Sequence, residues 1–152
     1  MARTKQFGEI ERILYKNNPK SCKILKLFIS LQPNNDLIMR RIITYGGYFE
    51  AFMASLSVKE QRKVDYVVSL LATQDRLPTK FIKHIENGLY ELRVMWESNI
   101  YRIFFIFDEG VVVVLFNGFQ KKTQKTPKIE IDKAIKIKEA YYADKQSSNK
   151  GL

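Results

Sequence analysis

Three apolar segments follow one another between Leu89 and Phe119, separated by links of only a few residues. Links that short cannot hold a crossover connection, so the three segments must pair as antiparallel neighbours. The first alternates: Leu89, Glu91, Arg93 and Met95 fall on one side, and Tyr90, Leu92, Val94 and Trp96 on the other. Ile100–Phe107 is the second strand, and Asp108-Glu109-Gly110 supplies a hairpin turn to the third. That third strand, Val111–Phe119, is apolar enough to need cover on both faces. A sheet of this kind requires helices elsewhere in the chain.

The helices can be read on either side of it. Arg40–Tyr45 reads as a further strand, ended by Gly46-Gly47. Phe49, Phe52, Met53 and Leu56 then recur at helical spacing. Ser57 and Glu60 form a capping-box pattern that opens a second helix, with Val64, Val67, Val68 and Leu71 as its apolar stripe. Two helices joined at Leu56–Ser57 make an αα-hairpin. Gln74–Pro78 breaks the second helix, Phe81, Ile82 and Ile85 make a short connecting piece, and Asn87-Gly88 is a turn. The last helix is expected to be capped by Thr126, with Pro127 at its first position and Ile131, Ala134, Ile135 and Tyr142 as its stripe. The fold class is therefore α+β: a small antiparallel sheet with an N-terminal αα-hairpin and a C-terminal helix. Residues 39–146 form the domain, residues 1–38 an extension of uncertain status, and residues 147–152 a disordered polar tail. Within the extension, a short helix is expected around Phe7–Tyr15, and Ile24–Leu31 reads as either strand or helix.

Charge narrows the partners. Lys and Arg number 26 against 16 acidic residues, a net charge of +10, which favours a polyanion such as nucleic acid. No apolar run approaches the roughly 20 residues that cross a bilayer, and no secretory signal pattern is present, so the chain reads as cytoplasmic with no membrane partner. One cysteine, Cys22, and one histidine, His84, cannot assemble a usual zinc set, and no P-loop or dinucleotide motif occurs. No metal and no cofactor are expected.

Two groups of residues could carry chemistry. Arg93 and Arg102 lie mid-strand on neighbouring strands, where a charge is costly to bury unless paired. They either pair with carboxylates such as Glu91 or Asp108, or together bind an anion. The third strand then runs into a basic stretch, Phe116–Lys128, that holds Phe119, Gln120, Lys121, Lys122, Gln124 and Lys125. Cations for phosphates interleaved with rings for bases is the pattern expected of single-stranded RNA binding. Tyr90 is a further candidate for stacking, and His84 a candidate for proton transfer near neutral pH.

Three segments carry a resemblance. Gly88-Leu89-Tyr90-Glu91-Leu92-Arg93, Asn99-Ile100-Tyr101-Arg102-Ile103-Phe104 and Leu115 through Pro127 are similar, in order and spacing, to the signature segments of the RelE/HigB superfamily, phage-derived branch. The resemblance covers roughly Arg40 to Tyr142. It implies the toxin of a bacterial type II toxin–antitoxin system, a metal-independent mRNA endoribonuclease acting on the ribosome. Its implied partners are mRNA, the ribosome and a cognate antitoxin with a helix-turn-helix fold. Asn117 stands where many relatives carry histidine before the Gly-Phe pair, which removes one proton-transfer group. The segment before Met39 has no counterpart, and Met39 is well placed as a start, directly before the first strand.

With so few histidines, lysine and arginine must supply the chemistry. A lysine crowded by other cations gives up its proton more readily, and on that ground Lys121 beside Lys122 is the candidate base. Arg93 and Arg102 would neutralise charge developing on the phosphate. Two alternatives share the fold: a gyrase-inhibiting toxin of ParE type, and a catalytically decayed toxin that only binds its antitoxin.

Overall fold

The computed structural model describes residues 39–150. The readings made for Phe7–Tyr15 and Ile24–Leu31 lie outside those residues. Five strands and three helices follow in the order β1 (Arg41–Thr44), α1 (Tyr48–Ala54), α2 (Val58–Thr73), β2 (Ile82–Glu86), β3 (Leu89–Trp96), β4 (Asn99–Asp108), β5 (Val112–Gln120) and α3 (Lys128–Asn149).

The sheet has the strand order β1-β5-β4-β3-β2. β2 to β5 form the antiparallel run that the short links demand, with Leu89 opposite Ile106 and Phe107 opposite Val113. β1 differs from the expectation: it lies parallel to β5, with Arg41 opposite Val112 and Thr44 opposite Leu115. Turn chemistry informs only on strands adjacent in sequence, and β1 finds its partner at the far end of the sheet-forming chain. Phe81–Ile85 also differs. It is not a mere connector, because Ile82–Glu86 forms the edge strand β2 and pairs with β3 through the Asn87-Gly88 turn. Both turn residues have positive φ, 48° and 75°, the conformation a tight two-residue hairpin needs. β2 escaped sequence reading because its burial does not alternate, as an edge strand's need not.

Each face of the sheet has its own core. Phe49 and Phe52 of α1 and Val64, Val67, Val68 and Leu71 of α2 pack on Leu92, Val94, Tyr101, Ile103, Phe105 and Leu115. On the other face, Ala134 and Ile137 of α3 pack on Leu89, Phe104, Ile106, Val114 and Phe116. Period-2 alternation along β3, β4 and β5 divides the strand residues between the two cores.

Local chemistry sets the helix ends. Ser57 accepts from the Glu60 amide while the Glu60 carboxylate accepts from the Ser57 amide at 2.8 Å, completing the capping box. At the other end of α2, the Arg40 guanidinium donates to the carbonyls of Leu71 and Asp75 at 3.0 and 2.8 Å, where the helix dipole favours a cation. α3 starts one residue later than expected. Pro127 is its N-cap, and Thr126 is turned to another use described below. The helix also continues to Asn149, through the first residues of the expected disordered tail. Its far end is held to the β4–β5 turn: Tyr141 donates to Asp108 at 2.6 Å, and Lys145 bonds Asp108 and Glu109, each at 2.7 Å.

Gly118 marks a close approach. A Cβ there would lie 2.5 Å from the Phe52 ring, so α1 rests directly on the β5 backbone. Gly118→Ala is expected to cost about 2 kcal/mol by overpacking, read as a lower urea midpoint with an unchanged slope. Adding Phe52→Leu should recover part of that loss. A Gly118→Ala midpoint equal to wild type would show that the contact is not tight.

Candidate functional site

The antiparallel register puts Arg93 directly opposite Arg102, and Arg102 directly opposite Phe119. The three side chains form a row across β3, β4 and β5, on the face that carries α3. Two cations facing each other in a sheet repel, so something must lie between them. That group is Glu91, whose side chain is 1% exposed. Its Oε1 lies 3.0 Å from Arg102 Nε and 3.2 Å from Arg93 Nε. Its Oε2 accepts from the Thr126 hydroxyl at 2.6 Å, which ties the end of the basic loop to the sheet.

Of the two readings of the arginines, the structure shows the pairing with a carboxylate. Glu91 is their carboxylate partner, but one negative charge cannot neutralise two guanidinium groups. The Arg102 contact is also incomplete: the Nε–H finds no aligned acceptor, so this is an ion pair rather than a full hydrogen bond. Its Nη1 donates to the Tyr101 carbonyl at 3.1 Å. Burial lowers the tendency of Arg102 to hold its proton, Arg93 adds to that effect, and Glu91 opposes it. Arg93 is the more exposed of the two, at 30%.

A β-bulge adjoins this row. Ile103 faces Gly118 and Phe105 faces Leu115, so Phe116 and Asn117 together oppose the single residue Phe104. Bulges re-aim side chains and occur often beside functional sites. Asn117 is buried here, and its Nδ2 donates to Glu130 in the first turn of α3, to Oε2 at 3.2 Å. Its Oδ1 has no partner. Among the described residues, the only buried side-chain polar atoms without a hydrogen bond are this oxygen and Arg102 Nε, and both lie on the α3 face of β4 and β5.

The other expected site residues divide. Phe119 is half-buried and stacks on Phe104 at 5.8 Å between ring centres, leaving part of its ring accessible. The Lys121 amide still bonds the Ile100 carbonyl at 2.7 Å, so alternation puts Lys121 on the Phe119 side. Lys122, Gln124 and Lys125 are exposed on the loop between β5 and α3, which is shaped by a bond from the Thr123 hydroxyl to the Lys125 carbonyl. Gln120 points to the opposite face, where its amide donates to Asn99 at 3.0 Å. Tyr90 is also on that opposite face, packed on Phe105 and Phe107. His84 is its cross-strand neighbour, 5.1 Å away ring to ring. Tyr90, Gln120 and His84 are therefore not brought to the arginine row. Alternation alone separates Tyr90 from Arg93, and could have said so. Glu91 is the residue that sequence reasoning undervalued, although its position two before Arg93 on one strand face was the available signal.

Among the described residues no three His, Cys, Asp or Glu side chains converge as metal ligands would. No helix among them is long and apolar enough to cross a membrane.

The described residues thus form a small mixed sheet with helices on both faces and a row of two arginines and a phenylalanine across β3, β4 and β5. Residues 51–139, well over half of the chain, match the family model of the phage-derived protein Gp49-like family, and the chain belongs to that family. The family falls within the RelE/HigB-like toxin superfamily, whose members are generally endoribonucleases held in check by an antitoxin partner. No curated protein matches the chain.

Proposed function

We propose that this protein is the toxin of a type II toxin–antitoxin pair, and that it cleaves mRNA on the ribosome without a metal ion. The observation that carries this reading is the cross-strand Arg93–Arg102 pair, which keeps net positive charge around the buried Glu91. Like charges opposite each other destabilise a sheet. An anion laid against them relieves the repulsion, and the phosphodiester of RNA is such an anion.

In the proposed reaction the ribose 2′-oxygen forms a bond to the adjacent phosphorus, and the bond from phosphorus to the 5′-oxygen breaks. A 2′,3′-cyclic phosphate and a 5′-hydroxyl result. Arg102 and Arg93 stabilise the charge that builds on the phosphate oxygens. Lys121 and Lys122 are the candidate proton carriers, and Phe119, Gln124 and Lys125 hold the strand by stacking and charge. With few groups suited to proton transfer, positioning by the ribosome supplies much of the rate, since orientation is worth roughly 7–11 kcal/mol.

Expression in a bacterial host should halt translation and leave mRNA cut within coding regions, and a folded Arg102→Ala variant should do neither. DNA damage with intact mRNA would instead support gyrase inhibition. No growth arrest and neither lesion, from a folded protein, would support a protein that only binds its antitoxin.

A further inference from the structure

A further cation lies diagonally from the arginine row, on the next strand. Lys83 on the edge strand β2 is the cross-strand partner of Glu91, so it shares the face of Glu91, Arg93 and Arg102. The Glu91 carboxylate is already engaged by both arginines and by Thr126. Among the described residues, Lys83 has no carboxylate within ion-pair distance. Arg93 leans toward the same edge, with Nη1 3.5 Å from the Thr79 carbonyl just before β2. α3 packs on β4 and β5 residues near the centre of this face, and Lys83 is exposed. Positive charge thus extends across the strands, from Lys121 beyond β5 through Arg102 and Arg93 to Lys83.

We propose that Lys83 is a second phosphate-binding residue, so that single-stranded RNA crosses the strands obliquely, from Phe119 over Arg102 and Arg93 to Lys83 at the β2 edge. The proposal rests on the RNA-cleaving reading and deepens it by giving the substrate a path. From β5 to β2 the path crosses three strand spacings and shifts two residues along the strands, roughly 16 Å in all. That is long enough for one phosphate at the arginines and a neighbouring one at Lys83. A flexible ammonium suits the outer position, where it acts as a point charge, while the planar guanidinium groups grip the central phosphate. Nothing in the packing requires a lysine at this exposed edge position, so its loss should not unfold the protein.

The test is the affinity of the full chain for a short fluorescent oligoribonucleotide, measured over a salt series. Lys83→Gln is compared with Lys59→Gln, an exposed lysine on α2 across the sheet. Thermal unfolding checks that both variants are folded. Lys83→Gln should bind about 5- to 10-fold more weakly and flatten the slope of log affinity against log salt by about 0.7, one phosphate contact on a single strand. Lys59→Gln should change neither. The effect of Lys83→Gln should vanish on RNA carrying an uncharged methylphosphonate at the contacted position.

If Lys83→Gln binds like Lys59→Gln while Arg102→Ala loses affinity, the β2 subsite is wrong and the arginine site stands. If the wild-type chain does not bind the oligoribonucleotide at all, the RNA reading fails and this proposal goes with it.

Discussion

Arg102→Ala is expected to lower RNA cleavage by about two to three orders of magnitude, the usual loss when one preorganised donor to a developing charge is removed. The size follows from where Arg102 sits. It is the central member of the row, opposite both Arg93 and Phe119, and is 7% exposed. A cation held in so dry a place stabilises charge more strongly than one in water. The same substitution also takes one partner from the buried Glu91 carboxylate. Losing one partner of a buried pair costs about 3–5 kcal/mol, and Arg93 with Thr126 offsets part of that here.

Stability and chemistry must therefore be separated. Urea unfolding of Arg102→Ala gives the first, and single-turnover cleavage in a translation extract, at a temperature where the variant is folded, gives the second. Arg102→Lys keeps the charge but not the planar fork, so it should recover stability more than activity. Combining Arg102→Ala with Glu91→Gln removes the stranded carboxylate and should restore folding without restoring cleavage. Wild-type cleavage by a folded Arg102→Ala protein would remove Arg102 from the mechanism.

The second large effect concerns Asp65 on α2, which is 4% exposed. Burial pushes its carboxyl up to about 7. In the unfolded chain the same group ionises near 3.9. From pH 4 to pH 7 the unfolded chain thus gives up this proton while the folded chain keeps it. Folding stability falls across that window and levels off above pH 7. At about 1.4 kcal/mol for each pH unit of separation, the total is roughly 4 kcal/mol. Asp65→Asn removes the titration, so it should flatten the profile and raise stability most at pH 8. Asp108 and Glu60 act the other way: each is held below the usual carboxylate range, Asp108 by Lys145 and Tyr141 against the effect of burial, and Glu60 chiefly by Tyr101. Their contribution is lost only as pH falls through the acid range. Urea midpoints at pH 5, 6, 7 and 8 decide the matter. An Asp65→Asn protein with the wild-type slope between pH 5 and 7 would mean that Asp65 is ionised in the fold.

Much of the architecture was legible before the structure because the signals were local. The capping box at Ser57–Glu60, the Asn87-Gly88 turn and the alternation of β3 are all set by neighbours in sequence. The errors fell where a distant partner decides. Thr126 has the chemistry of a helix cap, yet the buried Glu91 carboxylate claims its hydroxyl and leaves the N-cap to Pro127. β2 has no clean periodicity and becomes a strand because β3 offers an edge to pair with.

The candidate site divides in the same way. Residue types and spacing alone determined that this is a basic α+β domain with two mid-strand arginines and a lysine-rich loop after a buried strand. Alternation could also have separated Tyr90 from Arg93. Only the tertiary structure decided that Arg93, Arg102 and Phe119 form one row, because that depends on strand register. It alone gave Glu91 to both arginines, turned Asn117 inward at a bulge, and brought Lys83 to the same face. Spacing along a chain states which side of a strand a residue occupies. Which residues meet across strands is set by pairing, and pairing is a property of the whole sheet.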